Sequence, residues 1–179
     1  MITALTAAAA VLLVAAGLGK LRRPATAVLM LRTVAPPHTG PRLLRVLVRG
    51  ASVAEIGVGG WVLAGGGRAA GALLGSCYLA LALVAARLAS RAPGTACGCF
   101  GSGSAPVGVA HVVLDAVCLG VCIAGVLAPG RSLAALIRTS GASGPGIALG
   151  VLLLAALGYL TVTALPDLAT SRRLVERTR

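Results

Sequence analysis

Acidic residues are nearly missing from this chain of 179 residues: four Asp and Glu stand against sixteen Lys and Arg. Aromatic side chains are almost as scarce, with one Trp, two Tyr and one Phe. Charged residues of all kinds make up 11%, well under half of the roughly 25% usual in soluble domains, which excludes an ordinary water-soluble globule. The shortage of aromatics removes the stacking platforms on which many basic proteins hold nucleic acid, so the net charge of +12 is not a nucleic-acid footprint. That charge reads instead as a topology signal and as contact with lipid headgroups. No internal repeat is visible, which weighs against a transporter built from inverted halves.

What the chain has in quantity is apolar. Hydrophobic residues reach 58% and mean hydropathy is +0.97. Residues 1–19, 69–86 and 139–166 carry no charge, and 92–130 carry only Asp115. A crossing takes about 20 apolar residues, so each run is long enough. The expected fold is all-α: a polytopic transmembrane helical bundle of four to five spans, near residues 2–19, 50–66, 69–88, 106–127 and 146–165. One transmembrane domain then covers 1–166, followed by a basic tail over 167–179. The charges at the first run, Lys20, Arg22 and Arg23, follow it rather than precede it, as expected for an uncleaved first span and not for a signal peptide. The protein is therefore expected in the cell membrane as a multi-pass protein, with the bilayer as its first partner.

Proline and glycine punctuate the runs. Pro24 closes the first, residues 25–34 suit a short interfacial helix, and Pro36-Pro37 break it. Pro41 sits where a helix favours a first-turn proline, and Arg42, Arg45 and Arg49 recur on one side of the helix that follows, a basic stripe at the interface. The same helix is expected to continue through Glu55 to about Leu63. Ser104 and Pro106 look like a cap and an early-turn proline that start the fourth span.

With five spans, thirteen of the sixteen basic residues share one end, together with the segment that joins the third and fourth spans; Arg68, Arg131 and Arg138 have the other. The positive-inside bias puts the first end in the cytoplasm. Disulfide chemistry points to the outer face instead, because disulfides persist outside the cytoplasm. Four spans, or a re-entrant 25–49 segment, would change the tally.

That joining segment holds Cys97-Gly98-Cys99-Phe100-Gly101. Two cysteines at i and i+2 approach the upper limit of Cα separation that a disulfide tolerates, and the ring closes only if Gly98 bends sharply. A strained ring is labile, which suits electron exchange better than stapling. Cys99 also precedes the expected fourth helix, whose N-terminal dipole favours a thiolate. The alternatives are two small buried hydrophobes, or a zinc site that lacks its further ligands; no metal is expected.

Glu55 lies well inside the second span, and a charge there needs a partner or a proton; Lys20, at the end of the first span, is the nearest candidate. The pair is either an interhelical clamp or a group that binds a headgroup or moves protons. His111 and Asp115, at i and i+4, share one face of the fourth helix, with His111 one or two turns in. They are either a proton relay, or a hydrogen-bonding site for a quinone carbonyl, or a self-satisfied polar pair. Cys77, Cys118 and Cys122 sit in spans, where buried cysteine usually serves as a small apolar residue, and a second disulfide or relay is the alternative. His38 is expected in solvent; Trp61, Tyr78 and Tyr159 are scattered anchors.

With Ala16-Gly17-Leu18-Gly19-Lys20-Leu21-Arg22-Arg23-Pro24, Ala54-Glu55-Ile56-Gly57 and Cys97-Gly98-Cys99-Phe100-Gly101 on view, the chain resembles the MauE family of methylamine-utilisation membrane proteins, related to the DoxX-like group, over about residues 1–128. The resemblance implies a bacterial membrane protein that works with a thioredoxin-like partner and supports disulfide formation or maturation of an exported protein. On that reading Cys97 and Cys99 are the catalytic pair, while Lys20, Glu55, His111 and Asp115 are candidates for proton relay or acceptor binding. A quinone is a possible acceptor, by analogy of architecture with vitamin K epoxide reductase, and no covalent cofactor is expected. The competing class is a non-catalytic scaffold subunit of a redox complex.

Overall fold

Hydrocarbon leaves a backbone no solvent partner, so each apolar run closes its own hydrogen bonds as a helix. The computed structural model describes residues 1–92, 95, 98, 100 and 107–164. Among them the helices are α1 (Ile2–Arg22), α2 (Pro24–Val34), α3 (Pro41–Ala64), α4 (Arg68–Arg91), α5 (Val109–Leu127), α6 (Leu133–Thr139) and α7 (Gly144–Thr163), with one 3-10 turn at Gly141–Ser143. Five of these, all but α2 and α6, are long and apolar enough to cross a membrane, which makes this a multi-pass membrane protein. At 1.5 Å per residue they run about 29 to 36 Å, matched to a hydrocarbon core of about 30 Å.

Punctuation acts where the sequence put it. Pro24, Pro41 and Pro145 occupy the first turns of α2, α3 and α7. The basic stripe Arg42, Arg45 and Arg49 and the second span form one continuous helix, α3, as the pattern implied. Two boundaries differ. The fourth span starts at Val109, three residues later than Pro106, because the Val107 N–H donates to Thr95 O at 2.8 Å and Gly108 is extended. The stretch 131–144, expected as loop, contains α6, whose N-cap Ser132 side chain accepts from the Ala135 N–H at 3.2 Å.

α1 is the hub. It packs most extensively on α3, and also meets α5 and α7, while α4 pairs with α5. Small residues make this possible. A Cβ on Gly59 would lie 2.6 Å from Val14 Cγ2 and 2.8 Å from Ala10 O, so only glycine lets the α3 backbone come this near α1. The central cluster joins Ala9, Ala10 and Leu13 of α1 to Leu74 and Tyr78 of α4, Cys118 and Cys122 of α5 and Ala155 of α7. Outward faces carry leucines such as Leu149, Leu153 and Leu157, which belong in lipid.

At 11 residues, about 16 Å, α2 is too short to span, and it rests against α1, α3 and α4 at the end where α1 finishes. The tally of basic residues therefore stays at five-span values, and the end that carries Lys20, the α3 arginines and Arg87 and Arg91 faces the cytoplasm by charge. In a background freed of native cysteines, a membrane-impermeant maleimide applied to intact cells is expected to label Ala142→Cys and to spare His38→Cys. The reverse pattern would overturn this orientation.

Candidate functional site

Lys20 sits in the last turn of α1, and Glu55 faces it from the middle of α3. Lys20 Nζ donates to Glu55 Oε1 in an ion pair whose side chains are only 7% and 8% exposed. Glu55 Oε2 is buried with no hydrogen-bond partner among the described residues. Gly17, one turn earlier on α1, makes room for the carboxylate's own stem: a Cβ there would lie 3.2 Å from Glu55 Cβ.

His111 and Asp115 rise from the start of α5 on one side of a cavity that Leu13 and Ala16 of α1, Tyr78 of α4 and Phe100 also line. His111 is buried. It is the third residue of α5, about 3 Å along the axis rather than one or two turns in, since the helix begins late. The Gly108 N–H points to His111 Nδ1 at 3.4 Å, which holds the ring over the helix entrance. The cavity measures about 30 Å³ for water-sized occupants. A water needs on the order of 10–15 Å³ in that measure, and sites for organic ligands are roughly 300 Å³ or more. Water fits between these residues, and a quinone ring does not. A quinone would have to be met at the lipid-facing surface, and no step is routed through one.

Deeper in the bundle the Tyr78 hydroxyl donates to Ala9 O at 2.7 Å, and Cys118 lies within hydrogen-bond reach of it. Cys77, Cys118 and Cys122 are free thiols. Cys122 Cβ is 3.3 Å from where a Gly75 Cβ would stand, so this thiol fills the α4–α5 seam as a small apolar residue does. Among the described residues no group of three His, Cys, Asp or Glu side chains could hold a metal ion.

Cys97 and Cys99 lie outside the described residues, as do Ser104 and Pro106. Their sequence neighbours Gly98 and Phe100 are described: Gly98 rests on the first turn of α2 at Ala27, and the Phe100 backbone rests on Gly19 of α1. The segment therefore reaches the α1–α2 corner beside Lys20, and the helix that it touches is α2. The expected dipole of the fourth helix begins ten residues after Cys99, at Val109. His38 is exposed, as expected.

The structure thus gathers Lys20 with Glu55, and His111 with Asp115, on two sides of the α1 end. Sequence reasoning did not find the Tyr78 bond to Ala9 or the Phe100 contact on Gly19. A tyrosine inside an apolar span is a usable signal for the first, because its hydroxyl must find an acceptor there.

A protein-family model described as Methylamine utilisation protein MauE matches residues 1–128, from α1 to the end of α5. No curated protein matches the chain. No solved structure matches it either.

Breaking the buried pair on one side leaves an uncompensated charge, which costs about 3–5 kcal/mol, whereas replacing both partners with apolar groups is often nearly neutral. Lys20→Met is expected to lower unfolding stability in mild detergent by that amount, and the Lys20→Met/Glu55→Leu double variant to recover most of it. Equal stability of the single variant and the wild type would show that the pair holds nothing together.

Proposed function

The chain belongs to the MauE family, and from that premise we propose that it is a membrane thiol–disulfide protein of the bacterial cell membrane. Cys97 and Cys99 exchange with the cysteine pair of a thioredoxin-like partner and pass electrons to a membrane acceptor. The reaction supports disulfide formation or maturation of an exported protein. The acceptor is a second thiol system or a quinone at the lipid-facing surface.

The carrying observation is the Cys97-Gly98-Cys99 pattern, inside the family-matching segment and joined to described residues that rest on the corner of α1 and α2. In the exchange, a partner thiolate attacks one sulfur of the Cys97–Cys99 disulfide and forms a mixed disulfide, and the displaced sulfur leaves as thiolate and takes a proton. The partner's second thiolate then releases its own disulfide. Two electrons and two protons have now moved to Cys97 and Cys99. The acceptor removes both and restores the bond.

Protons must be moved at each half of the cycle. His111 at the mouth of α5, with Asp115 one turn below and room for water between them and Phe100, supports a route for them. Lys20 and Glu55 lie on the α3 side of the same corner, where the carboxylate has an oxygen to spare.

The test is mechanism-based trapping in cells. One of Cys97→Ser and Cys99→Ser is expected to abolish maturation of the exported target, and the other to accumulate a covalent adduct that dithiothreitol releases. Full function in both variants would sink the exchange reading. A scaffold would keep its co-purifying partner in both.

A further inference from the structure

We propose that Gly19, Gly98, Phe100 and Tyr159 form a seat that holds the cysteine segment against the bundle and sets its reactivity. They are positioning residues, and their role rests on the thiol–disulfide reading above.

Two steric constraints of opposite sense meet here. On α1, Gly19 lacks the side chain that would occupy the Phe100 main chain: a Cβ there would stand 2.6 Å from Phe100 C and closer still to its carbonyl oxygen. On the segment, Gly98 lacks the side chain that would enter α2: a Cβ there would stand 2.6 Å from Ala27 Cα and 2.8 Å from Ala27 N. Contacts that short do not occur, and neither backbone can give way, since both helices are held by the bundle. One glycine admits the segment to α1, and the other admits α2 to the segment. Cys99 is the residue between Gly98 and Phe100 in the sequence.

The third wall comes from α7. The Phe100 ring meets Tyr159 edge to face, with centroids 4.9 Å apart and planes at 83°, a geometry worth about 0.5–1.5 kcal/mol beyond burial. Gly158 brings α7 close enough: a Cβ on it would lie 2.9 Å from Leu12 Cδ1 of α1. Tyr159 stands beyond residue 128, so this wall comes from outside the family-matching segment. Phe100 also lines the water-sized cavity of His111 and Asp115, so the ring that anchors the segment separates it from the proposed proton route.

A seated segment denies the i, i+2 disulfide the freedom to relax its ring. Unseating it is expected to favour the disulfide and to expose the thiols. The test uses the full-length protein in detergent or in vesicles, with Gly19→Ala, Tyr159→Leu and Phe100→Leu as variants and Tyr159→Phe as the conservative one. Gly57→Ala serves as control, since a Cβ there meets nothing within 4 Å. Two quantities are read: the equilibrium constant of the Cys97/Cys99 pair in a glutathione redox buffer, and the rate at which iodoacetamide alkylates the fully reduced thiols.

Gly19→Ala, Tyr159→Leu and Phe100→Leu are each expected to shift the constant towards disulfide about tenfold, about 30 mV for a two-electron couple, and to speed alkylation at least tenfold. Tyr159→Phe and Gly57→Ala are expected to match the wild type. If Gly19→Ala does not fold, the two ring variants carry the test. Constants and rates within twofold of the wild type in the ring variants would overturn the seat while leaving thiol exchange standing. A wild-type pair that never forms a disulfide, with alkylation still accelerated in the variants, would overturn exchange and leave the seat.

Discussion

A charge carried into hydrocarbon has to be neutralised where it lies, and Lys20 and Glu55 do this for each other across the α1–α3 interface. The pair fixes more than two side chains. It sets the rotation of α1 against α3, since the carboxylate enters where Gly17 leaves space, and it fixes how far α1 extends before the chain turns at Pro24. The corner that receives the cysteine segment is built on that turn. Such a pair gives little stability over an apolar substitute, and its value lies in the single register that it allows.

From that register the rest of the site follows by close packing. Glycines on α1, α3 and α7 bring the helices together in the absence of a hydrophobic force between them, and the space left at the α1 end is lined by His111, Asp115, Tyr78 and Phe100. The cavity is the size of water, so its chemistry is the movement of protons. Electrons, on the proposed reading, stay with sulfur until they meet an acceptor at the protein's surface. The division agrees with the packing of Cys118 and Cys122, which fill the core as small apolar residues.

Much of this was legible in the residues. Charge-free runs and prolines gave the spans, because in lipid the need for internal hydrogen bonds leaves helices as the natural answer to such a run. The Lys20–Glu55 contact was legible because so few charges occur that each had one candidate partner. The start of α5 was not, since Pro106 resembles a helix start and only the tertiary bond from Val107 to Thr95 delays it. Nor was α6, a short helix whose formation depends on Ser132 and on packing against α7 and α3. The contact of Phe100 with Gly19 and Tyr159 joins residues 81 and 59 positions apart, and no local pattern encodes such a meeting.

The central claim is that the sulfurs of Cys97 and Cys99 alternate between bonded and reduced forms while the protein works. Acid-quenched membranes, alkylated with isotopically distinct reagents before and after reduction and read by mass spectrometry, report this directly. The account expects both forms in growing cells, with their ratio moving when the thioredoxin-like partner is removed. A single oxidation level that never changes, with or without that partner, would contradict it.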